Sequence, residues 1–148
     1  MNLDAWLTSL MLMCVPCAAF AALGAKADSV QADQAGINAS LHSTQMEKFT
    51  VQELQAASGS VVREYVGADG TVFGVAWEGP THPNLRQVLG DYFQPYLEAA
   101  KAQHAGRGPV AIVQPGLVVQ SGGRMRAFRG RAYVPQLLPP GVIPDDIR

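Results

Sequence analysis

Hydrophobic and polar positions alternate along three short runs between Lys48 and Trp77: "KFTVQELQ", "SVVREYV" and "TVFGVAW". Alternation in segments rich in Val, Phe, Tyr and Thr is the pattern of half-buried strands. Turn signals separate the runs at Ala57-Ser58-Gly59 and at Gly67-Ala68-Asp69-Gly70, the second containing an Asp-Gly hairpin pair. The pattern therefore predicts a three-stranded antiparallel meander. Its period sorts the faces: Val62, Glu64, Val66, Phe73, Val75 and Trp77 on one side, and Val61, Arg63, Tyr65, Val72, Gly74 and Ala76 on the other. Charge sets the register of the first hairpin. Glu53 opposite Glu64 would juxtapose like charges, so Glu53 is expected opposite Arg63 and Leu54 opposite Val62.

The period then changes. Leu85, Val88, Leu89, Tyr92, Phe93, Tyr96, Leu97 and Ala100 recur at helical spacing and make one apolar stripe. Thr81 or His82 is the expected cap, with Pro83 tolerated in the first turn. Gly90 and Pro95 interrupt a stripe that keeps its phase, which predicts a kinked helix or two abutting ones. β character returns in "VAIVQ" and "LVVQS", joined by Gln114-Pro115-Gly116, and then in "RMRAFRGRAYV" after a hairpin turn expected at Gly122-Gly123. The end, "PQLLPPGVIPDDIR", is proline-rich and expected to be extended. The fold class is α+β: an antiparallel three-stranded meander, one amphipathic kinked helix, and two or three further antiparallel strands.

One segment belongs to none of these elements. "AWLTSLMLMCVPCAAFAALGA", Ala5 to Ala25, carries no charge and ends in small residues, as a secretory leader does. Cleavage is expected between Gly24 and Asp28, following Ala22-Leu23-Gly24 or Ala25-Lys26-Ala27. No Lys or Arg precedes the run and Asp4 offsets the amino terminus, so an uncleaved N-terminal anchor is the alternative. Both cysteines, Cys14 and Cys17, lie in this run, which removes a folded redox reading of the CxxC spacing and leaves the mature chain without cysteine. The expected organisation is a leader over 1–27, a mobile polar arm over 28–47, a single α+β domain over 48–135 and a proline-rich tail over 136–148. The location implied is periplasmic or secreted. Asn38-Ala39-Ser40 is a formal glycosylation sequon.

Composition narrows function mostly by exclusion. The formal net charge is -1, so the molecule as a whole has no electrostatic pull on nucleic acid or on an acidic membrane, and an exported location disfavours nucleic acid further. Membrane contact is expected only through an unprocessed leader. The chain has no nucleophile elbow and no phosphate-binding glycine loop. His42, His82 and His104 lack metal-ligand spacing, so no metal and no cofactor is expected.

Two features carry candidate chemistry. Glu64 sits between valines on a face shared with Trp77, and a carboxylate in that setting titrates upward. It is either the acid or base of a hydrolase or a structural carboxylate with an arginine partner. Between Glu98 and Asp145 there is no acidic residue, while Arg124, Arg126, Arg129 and Arg131 fall close together. Paired guanidinium groups of this kind bind the phosphates of lipids or acidic glycans; alternatively they keep an edge strand solvated. In the expected register Arg124 and Arg126 share one strand face and Arg129 and Arg131 the opposite one.

The stretch "VREYVGADGTVFGVAWEGP" followed by "HPNLRQVLGDYFQPY" resembles the signature of a family of exported proteobacterial proteins classed only as a domain of unknown function. The resemblance covers Phe49 to Tyr96. It implies export but assigns no catalytic residue. The reading that results is an exported small protein with a non-catalytic binding or envelope-associated role, its partner an envelope component or anionic glycan. A periplasmic hydrolase using Glu64 and an anion-binding module using the arginine strand are the alternatives.

Overall fold

Four strands precede the helix: β1 (Ser40–Gln45), β2 (Thr50–Gln55), β3 (Val61–Val66) and β4 (Val72–Gly79). Three follow it: β5 (Val110–Gln114), β6 (Leu117–Arg124) and β7 (Ala127–Tyr133). The computed structural model of the 148-residue chain describes residues 22–27, 40–56, 58–103 and 108–148. Most of the leader, Asn38 and Ala39 of the sequon, Ala57, His104 and Arg107 lie outside the described residues.

The seven strands form one antiparallel sheet in the order β1-β2-β3-β4-β7-β6-β5. The join is β4 with β7, where Ala76 faces Arg131 and Glu78 faces Arg129. Strand number thus corrects the expected meander of three, because β1 comes from polar residues read as an arm. Its pairs, Leu41 with Leu54 and Thr44 with Val51, form on an edge where most of its side chains face solvent. Backbone pairing supplies that strand, so no apolar period marks it.

Register in the first hairpin follows charge as expected, with Glu53 opposite Arg63 and Leu54 opposite Val62. The second hairpin departs from simple alternation. Tyr65 pairs with Gly74 but Val66 with Val72, so Phe73 is the extra residue of a bulge. Val72 therefore joins Val62, Val75 and Trp77 under the helix, while Phe73 crosses to the other face and packs near Tyr65. The third correction lies between β6 and β7. Gly122 and Gly123 are inside β6, opposite Arg129 and Phe128, and the hairpin turns at Met125-Arg126 with Arg126 at φ 66. Arg126 takes the left-handed position that a two-residue turn demands, although glycine is the usual occupant.

The helical stripe is interrupted where expected: α1 (Leu85–Leu89), a 3-10 turn (Gly90–Tyr92) and α2 (Phe93–Ala102). The break falls at Gly90. Pro95 lies in the first turn of α2, where its missing donor costs nothing. Asn84, not Thr81 or His82, precedes the first turn, and His82 stacks on Phe128 with ring centroids 4.0 Å apart.

One core lies between the helices and the sheet, built on Trp77, Leu89, Ile112, Leu117 and Val119. The opposite face is covered by the C-terminal segment. Val142, between 3-10 turns at Pro135–Leu137 and Pro144–Asp146, and Ile147, just after the second, bury against Tyr65, Phe73 and Ala76. Phe49, Tyr65 and Phe73 form an aromatic cluster there, with centroids 5.8 to 6.2 Å apart. Among the described residues, no helix is long and apolar enough to cross a membrane.

Candidate functional site

Pairing β7 between β4 and β6 decides which arginines meet. Successive residues of β7 alternate, so Arg129 and Arg131 project from the face that carries the C-terminal segment. On β3 the same face carries Arg63. Arg124, at the end of β6, lies one turn from Ala127, and Arg148 comes from the C-terminal segment. These five arginines line a single open cleft of about 810 Å³. Its floor is thin, with the glycines Gly122, Gly123 and Gly130 in adjoining strands. Gly130 has no space for a side chain: a Cβ there would overlap the indole of Trp77.

The five guanidinium groups differ in how far the protein already satisfies them. Arg63 Nε and Nη2 donate to Glu53 Oε2 and Glu78 Oε1, both at 2.8 Å. Burial works against the Arg63 charge, but the hydrogen bonds and charges of Glu78 and Glu53 outweigh it and raise its pKa. Arg131 donates to Gln120 Oε1 at 2.8 Å, to the Pro144 carbonyl at 2.7 Å and to Asp145 Oδ1 at 3.3 Å, which fixes the C-terminal segment to the sheet. Among the described residues no ion pair engages Arg124, Arg129 or Arg148. Among the described residues, Glu78 is the one acidic residue lining the cleft. Five arginines thus answer to the carboxylates of Glu53, Glu78 and Asp145, and the imbalance is positive.

Arg126 stands apart from this group. It lies in the turn and lines a smaller pocket of about 300 Å³ with Glu78, Phe128 and Arg129. The shared face expected for Arg124 and Arg126 does not form, because β6 has ended before the chain reaches Arg126.

Glu64 points the other way, into the layer between sheet and helices. It is 1% exposed, and its Oε2 has no hydrogen-bond partner among the described residues. Burial pushes its pKa up to about 8. Gln52, directly opposite in the register, is also buried and its Oε1 also lacks a partner. Neither residue lines the cleft. Tyr65, on the arginine face, donates from its hydroxyl to the Arg148 carbonyl at 2.6 Å and accepts the Arg148 N–H at 3.0 Å. Burial raises its pKa.

The family model described as a protein of unknown function, DUF2844, matches residues 19–147. The chain belongs to the DUF2844 family. The DUF2844 match extends past the Phe49–Tyr96 stretch in both directions, taking in β5, β6 and β7 with their arginines and the C-terminal segment. Comparison with curated proteins and with solved structures returned no match. In this DUF2844 chain, the cleft takes in Arg124, Arg129 and Arg131, singled out in the sequence, and adds Arg63 and Arg148, which were not. Their signal was absent because β3 and the C-terminus reach the cleft only through the β4–β7 pairing and the tail's return over the sheet. The pairing of Arg63 with Glu53 was legible from charge; its second carboxylate, Glu78, was not.

Proposed function

We propose that this protein is an exported, non-catalytic binding module that takes an oxyanion-bearing ligand in the arginine-lined cleft. The ligand chemistry is that of sulfate, phosphate or carboxylate groups on an acidic glycan or a lipid headgroup. The observation that carries the reading is the convergence of Arg63, Arg124, Arg129, Arg131 and Arg148 on one cleft, lined among the described residues by a single acidic residue. Guanidinium groups with free donors match the paired oxygens of such ligands. Arg63 and Arg131 are held by their own partners and act as a rigid positive wall, whereas exposed Arg124 and Arg129 have donors to give. Export is supported by the uncharged Ala5–Ala25 run.

Burial of Glu64 away from the cleft supports binding over hydrolysis, since a catalytic carboxylate has to reach its substrate. The test is retention on immobilised heparin and on vesicles carrying anionic phospholipid, comparing the wild type with Arg124→Ala/Arg129→Ala. Retention by either support that the double variant loses by about tenfold or more, at unchanged thermal stability, is expected. Heparin alone identifies an acidic glycan and vesicles alone a lipid phosphate. Absence of binding to both, or equal binding by the variant, rejects the proposal.

A further inference from the structure

Residues Ala22–Ala27 fall inside the stretch read as a leader, yet they are built into the fold. The Leu23 N–H donates to the Val88 carbonyl at 3.0 Å, and the Gly24 and Ala27 N–H groups donate to the Val72 and Gly70 carbonyls, each at 2.8 Å. Val72 N–H returns a bond to the Ala25 carbonyl at 3.0 Å. Lys26 bridges to Thr71, and its Nζ donates to Thr71 Oγ1 and to the Asp69 carbonyl at 2.8 Å. Leu23 is 2% exposed and belongs to the main core with Val72 and Leu89.

Two glycines mark how closely this segment packs against the helices. Gly24, at φ 83, has the Tyr92 ring where its Cβ would be, with Cε2 at 2.8 Å. Gly90, at φ 53, has the Ala22 methyl in the same position, 2.5 Å from a notional Cβ. The break between α1 and α2 is therefore the place where the helix makes room for Ala22. A cut anywhere between Gly24 and Asp28 would remove Leu23 from the core and strip Val72 and Val88 of their partners.

We infer that the exported protein begins at Ala22, released from its leader after the small-x-small sequence Ala19-Phe20-Ala21. That sequence is of the type cleaved behind an apolar run. The family match begins at residue 19, within it, and excludes most of the apolar run. Folding on the far side of the membrane then protects the boundary, because Leu23 to Ala27 are hydrogen-bonded or buried and no longer available as an extended substrate. This inference rests on the leader reading, and the experiment separates the two.

The full chain is expressed in a bacterial host with an intact general secretion pathway, and the exported product is analysed by N-terminal sequencing and intact mass. A start at Ala22 is expected. A start at Ala25, Asp28 or beyond overturns the boundary while leaving export intact; a chain retained with Met1 overturns the leader reading and the boundary together. Leu23→Ala in the same full chain adds an independent readout. The exported variant should melt about 10 °C lower than the wild type, as loss of a buried leucine predicts for a domain of this size. An unchanged midpoint would mean that residue 23 is absent from the mature protein, and overturns the inference.

Discussion

Burial raises the Glu64 pKa to about 8, which favours the protonated acid. Its neighbours on the sheet face are valines and Trp77, and the register puts the unpartnered Gln52 oxygen across from it. An ionised carboxylate there would be an uncompensated buried charge; a neutral one is a hydrogen-bond donor. The sign of the linkage follows. The group titrates near 4.5 in an unfolded chain and near 8 when folded, so between those values the folded protein holds a proton that the unfolded one has lost. Stability is therefore full below about pH 4.5, falls as pH rises across that window and levels off above it. Glu64→Gln keeps the shape and a donor but removes the titration. Urea unfolding should find the variant close to wild type at pH 4 and more stable by on the order of 5 kcal/mol at pH 9. A wild-type profile flat from pH 5 to 8 would show Glu64 ionised at no cost.

At the scale of elements, the C-terminal segment is held by one side chain more than any other. Arg131 Nη1 reaches the Pro144 carbonyl, Asp145 and the Ile147 carbonyl at 2.7, 3.3 and 3.4 Å. Arg131→Ala should leave the sheet folded and loosen the segment. Amide exchange at residues 142–147 should quicken by roughly tenfold or more while the β3 and β4 amides keep their protection. Equal exchange in variant and wild type would assign the docking to Ile147 packing alone. The same element shows where sequence pattern stops being informative. Strand alternation and helical spacing are local, and they located β2 to β7 and the broken helix. The Glu53–Arg63 register was also legible, because like charges exclude its competitor. Phe73 was placed on the wrong face because one bulge residue inverts the parity that alternation assumes. β1 was missed because an exposed edge strand needs no apolar period. The β6–β7 turn was misplaced because Gly122-Gly123 looks like a turn, whereas Arg126 in a left-handed conformation does not. The tail's burial of Val142 and Ile147 depends on a sheet face that no local signal describes.

For the whole molecule, the consequential fact is that the two β units make one sheet. Pairing β4 with β7 brings Arg63 and Glu78 alongside Arg129 and Arg131, and the returning tail adds Arg148. None of this changes the net charge, which stays near zero; the positive field is local to one face. Binding through such a cleft should weaken with salt, and exposed Arg124 and Arg129 should contribute more than Arg63, whose donors already serve two carboxylates. The most direct measurement is an amide chemical-shift titration of the mature protein with a short heparin oligosaccharide at low salt. The cleft predicts shifts concentrated over residues 122–131 and at Arg63 and Arg148. They should saturate with ligand and be lost in Arg124→Ala/Arg129→Ala. No shifts at millimolar ligand, or shifts confined to Lys26, Lys48 and Lys101, would contradict it.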